Sequence, residues 1–90
     1  MNKYVFVELK IRMEDYRFYA RRVFIEASTE SLESQGQYMA KTFYDGECCQ
    51  DGSEFLFDGG NIAVSVSEIR YISEAEHKII SEFCPAAKFN

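Results

Sequence analysis

The sequence predicts an α+β domain, a two-layer ββαββα chain whose four-stranded antiparallel sheet carries two helices on one face. Three observations predict it. Tyr4 to Met13 alternates strictly between apolar and other residues, as a half-buried strand does. A second β-rich run begins after only Glu14 and Asp15, a gap that admits nothing but an antiparallel hairpin. Ser73-Glu74-Ala75-Glu76 has the spacing of a capping box, in which each side chain satisfies the other residue's free backbone N–H at a helix start.

The first strand places Val5, Val7, Leu9, Ile11 and Met13 on one face and Tyr4, Phe6, Glu8, Lys10 and Arg12 on the other. Pairing it with Arg17 to Ala27 across Glu14-Asp15 requires an odd sum of partner numbers near 29 or 31. Phe18, Ala20, Arg22 and Phe24 then lie beside the inner face, where Arg22 is out of character unless it sits at the sheet's end or on a bulge. Ser28 or Thr29 is the expected cap of a helix over 30–44, with Glu30 and Glu33 suited to the positive end of its dipole. Its stripe is Leu32, Gly36, Met39 and Phe43, and the glycine implies close backbone approach, because it costs about 1 kcal/mol of helix propensity relative to alanine.

Residues 45–53 read as a polar loop. Glu54 to Phe57, then Asp58-Gly59-Gly60-Asn61, then Ile62 to Val66 read as a second hairpin, with Gly-Gly supplying the positive φ of a tight turn. Alternation slips between Ser67 and Ile69, which marks a bulge or the strand's end. The second helix presents Ile72, Ile79, Ile80 and Phe83 to the core and stops at Pro85. The expected common core is Val5, Val7, Leu9, Ile11, Leu32, Met39, Phe43, Ile79, Ile80 and Phe83.

At 90 residues the chain fits one domain, 1–90, which buries only about 60 to 65% of its unfolded surface. A hydrophobic content of 47% with one proline excludes a disordered tail. No run approaches the roughly 20 apolar residues of a membrane span, and the first residues lack the continuous apolar segment of a signal peptide, so a cytoplasmic protein is expected. Three cysteines, two of them adjacent, make a poor disulfide framework and imply reduced thiols.

The motifs of chemistry fail in turn. His77 and Cys84 are seven residues apart on one helix, about 10.5 Å, too far for a nucleophile–base pair. Cys48-Cys49 lacks a zinc-knuckle spacer, and Cys49 stands where a calcium loop beginning at Asp45 needs oxygen. Gly59-Gly60 has neither a Walker lysine nor a following helix. The expectation is therefore no enzyme, no cofactor and no metal.

Charge is the unusual feature. The net charge is −5, yet residues 1–22 hold six basic and three acidic side chains, net +3, and the remainder holds four basic and twelve acidic, net −8. A chain so polarised, with the motifs of catalysis missing, reads as a protein-interaction module whose acidic surface, including Glu30, Glu33, Asp51 and Glu54, occupies a basic channel of a nucleic-acid-handling complex. In general character, though by no shared motif, it resembles the small phage-encoded anti-CRISPR proteins, and that resemblance implies an inhibitor. The alternative is a nucleic-acid-binding accessory protein that uses the first hairpin's outer face, where Tyr4, Phe6 and Tyr19 lie among Lys10, Arg12, Arg17 and Arg21. The apolar end of that face is also a candidate homodimer surface.

Overall fold

In the computed structural model, residues 3–26 and 29–83 are described, Phe83 in its backbone only. The strands are β1 (Tyr4–Met13), β2 (Tyr16–Ile25), β3 (Cys49–Asp51), β4 (Glu54–Phe57) and β5 (Ile62–Ile72). The helices are α1 (Leu32–Lys41) and α2 (Glu74–Phe83). The sheet is antiparallel, in the order β2-β1-β5-β4-β3.

The first hairpin has the expected register, each pair from Tyr4↔Ile25 to Met13↔Tyr16 summing to 29. Its two-residue turn holds Glu14 at φ 55°, the left-handed region that tight hairpins demand and that a non-glycine residue adopts at a cost. Arg22 does lie on the inner face, on the outermost strand of the sheet and without a bulge against β1. Its guanidinium lies 5.8 Å from the Phe43 ring centroid and donates to the Arg21 carbonyl at 2.9 Å.

Five strands replace the expected four, because the supposed polar loop contains β3. Gly52, at φ 63°, is the first residue of a two-residue connection to β4. The Gly-Gly segment is not a two-residue turn. Phe57 pairs with Ile62, so four residues connect the strands, and Asp58, Gly59 and Gly60 all have positive φ. The slip near Ser67 is a bulge: the β1–β5 register shifts between Glu8 and Leu9, and β5 continues to Ile72.

Both helices were expected on one face, and they lie on opposite faces. Val5, Val7, Leu9 and Ile11, all fully buried, pack with Phe24, Phe55, Phe57, Val64 and α1's Met39 and Ala40. Phe6 and Val23, whose side chains alternate to the other face, pack instead with Ile72, Tyr4 and α2's Ile80. The physical reason is the apolar end of the outer face. Tyr4, Phe6, Val23 and Ile72 share it, and α2 leaves β5 directly from Ile72 onto that side. Ile80 therefore belongs to the second cluster, and Ile79, expected in the core, is 60% exposed. Leu32 and Phe43 pack at the margin of the first cluster. The side chain of Phe83, together with Cys84 and Pro85, lies outside the described residues.

Helix α1 is shorter than 30–44. Its cap is Ser31, whose hydroxyl accepts from the Ser34 N–H at 3.2 Å, where Ser28 or Thr29 was expected; Ser28 lies outside the described residues. It ends where the Thr42 N–H and hydroxyl both donate to the Tyr38 carbonyl. Gly36 does mark a close approach: a Cβ there would stand 3.2 Å from Ile69 Cδ1 and 3.3 Å from Val66 Cγ2. The capping box of α2 forms as expected, with Ser73 N–H donating to Glu76 at 3.2 Å and Glu76 N–H to the Ser73 hydroxyl at 3.1 Å.

One polar junction ties the α1 face together. The Glu26 carboxylate accepts from Gln35 Nε2 at 2.8 Å and from the Tyr71 hydroxyl at 2.7 Å, joining the end of β2 to α1 and β5. The hydrogen bond from Gln35, then that from Tyr71, hold the Glu26 carboxyl below its ordinary pKa. A group whose folded pKa is lowered stabilises the fold above its unfolded value, about 4.3, and loses that contribution as pH falls through the folded value.

Two predictions follow from this arrangement. Leu9→Ala should cost about 2 to 5 kcal/mol in denaturant unfolding, whereas Ile79→Ala should stay within about 0.5 kcal/mol. The stability difference between the wild-type chain and Glu26→Gln should be full near neutral pH and should vanish in acid, measured by unfolding at a series of pH values.

Candidate interaction surfaces

The pairing register turns the charge division of the sequence into geography. On the α2 side of the sheet one row runs Tyr19, Lys10, Ser65, Glu54, Asp51 across all five strands, and the next runs Arg17, Arg12, Ala63, Leu56, Cys49. Cations therefore collect on β1 and β2, and acids on β3 and β4. Between Lys41 and Arg70 the chain has no lysine or arginine; five of its six acids, Asp45, Glu47, Asp51, Glu54 and Asp58, belong to the β3–β4 hairpin and its flanking loops, and the sixth, Glu68, is on β5. That cation-free interval was missed in reading the sequence, although a charge count by segment would have found it. With strands about 4.8 Å apart, the two edges of the sheet are about 19 Å apart, more than twice the screening length of about 8 Å at physiological salt.

The candidate acids fall in two places. Glu30 and Glu33 stand exposed at the start of α1, Glu33 in its first turn, and the Glu30 carbonyl accepts from Gln35 Nε2 at 2.8 Å. Asp51 and Glu54 face each other across the β3–β4 hairpin on the α2 side of the sheet. The structure pairs Asp51 with Glu54 at the turn of this hairpin and leaves Glu30 and Glu33 at the start of α1.

The hairpin candidates also divide. Tyr4 and Phe6 are taken up by the α2 cluster, with the Tyr4 ring 4.6 Å from that of His77 and the Arg70 guanidinium 5.1 Å from the Phe6 ring. They offer no stacking platform. Arg21 is engaged by Glu8 at 2.7 Å, and that carboxylate also accepts from the Ser67 hydroxyl at 3.1 Å. Lys10, Arg12, Arg17 and Tyr19 remain on the part of the face beyond α2. Among the described residues Lys10, Arg12 and Arg17 form no ion pair, and Arg12 and Arg17 are direct cross-strand partners. Like charges so placed destabilise a sheet.

Other features are plainer. A groove of about 660 Å³ follows α1, with Gln35, Tyr38, Lys41, Cys48 and Phe55 on its walls. Among the described residues no three histidine, cysteine or acidic side chains gather as a metal-binding group. No helix among them is long and apolar enough to cross a membrane. Comparison of the chain with protein-family models, with curated proteins and with solved structures gives no match.

The opposed cations predict a measurable cost. Arg17→Thr should stabilise the fold by roughly 0.2 to 1 kcal/mol at low salt, and the gain should shrink as added salt screens the Arg12–Arg17 repulsion. Unfolding of both proteins at two salt concentrations measures it.

Proposed function

We propose that this chain is a non-catalytic interaction module that sets its acidic β3–β4 edge against a basic surface of a partner protein. The observation that carries this reading is the gathering of Asp45, Glu47, Asp51, Glu54 and Asp58 on one hairpin and its loops, with no lysine or arginine between residues 41 and 70. Four of these, Asp45, Glu47, Asp51 and Asp58, are exposed, and Glu54 is half-buried. Acids set close along the chain, with no cation among them, carry the sign of charge that a phosphate backbone presents, and such charge steers association with cationic clefts. The concrete form of the proposal is an inhibitor that occupies the phosphate channel of a nucleic-acid-handling complex, the general type of the phage-encoded anti-CRISPR proteins. Charge segregation supports it.

A second reading rests on one observation. Among the described residues Lys10, Arg12 and Arg17 have no acidic partner and stand beside Tyr19, a set that could neutralise phosphates and stack a base. It is the weaker of the two, because Tyr4 and Phe6 are withdrawn from that platform.

Zero-length carbodiimide cross-linking in extract of the native host tests the choice, since it joins carboxylates to lysines already in contact. Cross-links should concentrate on Asp45, Glu47, Asp51 and Glu54, and reversing those four to lysine should remove the captured partner while leaving thermal unfolding nearly unchanged. Tight binding of a single-stranded oligonucleotide at physiological salt, lost in Arg12→Ala and Arg17→Ala, would give the function to the hairpin.

A further inference from the structure

Strand β2 is the edge of the sheet, and most of its first six residues are open to solvent. Tyr16, Arg17, Phe18, Tyr19 and Arg21 are exposed, and Ala20 is half-buried. Two hydrogen bonds show which of its backbone groups are already used. Glu26 N–H donates to the Lys3 carbonyl at 2.8 Å, so in the alternating pattern of an antiparallel ladder the even-numbered residues on this strand are the ones bonded to β1. The odd-numbered residues Arg17, Tyr19 and Arg21 consequently turn N–H and C=O to the open edge. The Arg21 carbonyl agrees, because it is held by the Arg22 guanidinium at 2.9 Å.

Natural sheets blunt such edges by shortening, bulging or covering them. The opposite edge follows that rule, with β3 only three residues long, whereas β2 runs for ten with no register shift against β1. The open backbone groups belong to the same residues whose side chains lie on the cationic face. A strand added beside β2 would place alternate side chains directly opposite Arg17, Tyr19 and Arg21, within reach of Arg12 and Lys10 on the next strand.

We infer that the free edge of β2 over residues 17–21 is a strand-addition site for an extended, acidic segment of a partner protein. Backbone hydrogen bonds to both groups of Arg17 and Tyr19 and to the Arg21 N–H supply affinity independent of partner sequence. Acids at alternate positions supply selectivity by meeting Arg17, Arg12 and Lys10, which lack partners among the described residues. A second copy of this chain is a poor occupant through β2 itself, since every charged side chain on that strand is an arginine. This site is distinct from the acidic edge, which is on the far side of the sheet, and stands or falls separately.

The test uses the full chain, a fluorescent peptide of alternating glutamate and threonine, and amide hydrogen exchange followed by NMR. In the free protein the amides of Arg17, Tyr19 and Arg21 should exchange quickly, while those of Phe18 and Ala20 are protected by β1. On adding peptide the three odd-numbered amides should become protected. Arg17→Glu, or a peptide N-methylated at alternate residues, should weaken binding by about tenfold or more, because each removes one of the two contributions. Unchanged exchange at Leu9 and Ile11 shows that the variant is folded. Binding without new protection at residues 17, 19 and 21 would overturn the inference, as would failure of the peptide to bind at low salt. Protection that rises with protein concentration alone would assign the edge to a second copy, and an oligonucleotide that displaces the peptide without protecting those amides would assign the face to nucleic acid; either result overturns it.

Discussion

Strand β1 is hydrogen-bonded along both of its edges, to β2 and to β5, and everything else is arranged around what its two faces then require. Val5, Val7, Leu9 and Ile11 on one side are completely shielded from water. Each such side chain contributes about 1.5 to 3 kcal/mol when fully buried, so this row outweighs any single polar contact in the domain. It can be shielded only by a layer, and α1 supplies it, brought close by Gly36 against Val66 and Ile69. The other side of β1 is apolar only at its beginning, where Phe6 adjoins Val23 and Ile72. One short helix is enough to cover that end, and the rest of the face, from Lys10 to Arg12, stays outside any helical cover.

The same central strand explains how charge becomes separated. Because β5 returns beside β1 and carries β4 and β3 outward with it, the N-terminal hairpin and residues 45–58 are driven to opposite ends of the sheet order. A different order, with the second hairpin beside β2, would bring the acids of β3 and β4 next to Arg17 and Arg21 and pair them off. The observed order puts Arg17 and Asp51 on opposite edges of the sheet, more than a screening length apart in physiological salt, and sets β5 between Lys10 and Glu54. Neutralising contacts occur where the strands require them: Glu8 with Arg21, and Arg70 with Glu68 and Glu76. These are exposed or half-exposed pairs of small energetic value, which align side chains more than they stabilise the fold.

The elements that could be read from the sequence were those encoded by local chemistry. The β1–β2 register follows from strict alternation and a two-residue gap, and the start of α2 follows from Ser73 and Glu76 reaching each other's backbone. What failed depended on tertiary context. Three exposed residues of β3 carry no alternation of apolar groups, and only the Asp51-Gly52 step hinted at a turn. Ile72, Ile79 and Ile80 offered a stripe without saying which face of the sheet it would meet. That answer needed β5 to extend past the bulge at Ser67, so that Ile72 came to lie beside Tyr4 and Phe6. The candidate surface residues were visible as charges, but their grouping was not. Glu30 and Glu33 separate from Asp51 and Glu54, and Tyr4 and Phe6 are drawn under α2, because pairing register rather than sequence proximity decides who shares a face.

The contrast between the two edges bears on how a sheet of this size can keep one edge open without pairing indiscriminately. At β3 the ladder ends after three residues, and acids on the adjoining loops oppose the approach of another chain's carboxylates. At β2 the ladder is long, but every charged side chain on it is an arginine, so approach is selective rather than forbidden. A neutral or basic strand would gain backbone hydrogen bonds and leave Arg17 beside Arg12 with their repulsion unrelieved. An acidic strand would gain those bonds and also relieve the repulsion already present in the free protein. Like charges held on facing strands therefore favour the occupied edge by raising the free energy of the unoccupied one, a cost borne by stability in exchange for discrimination between partners.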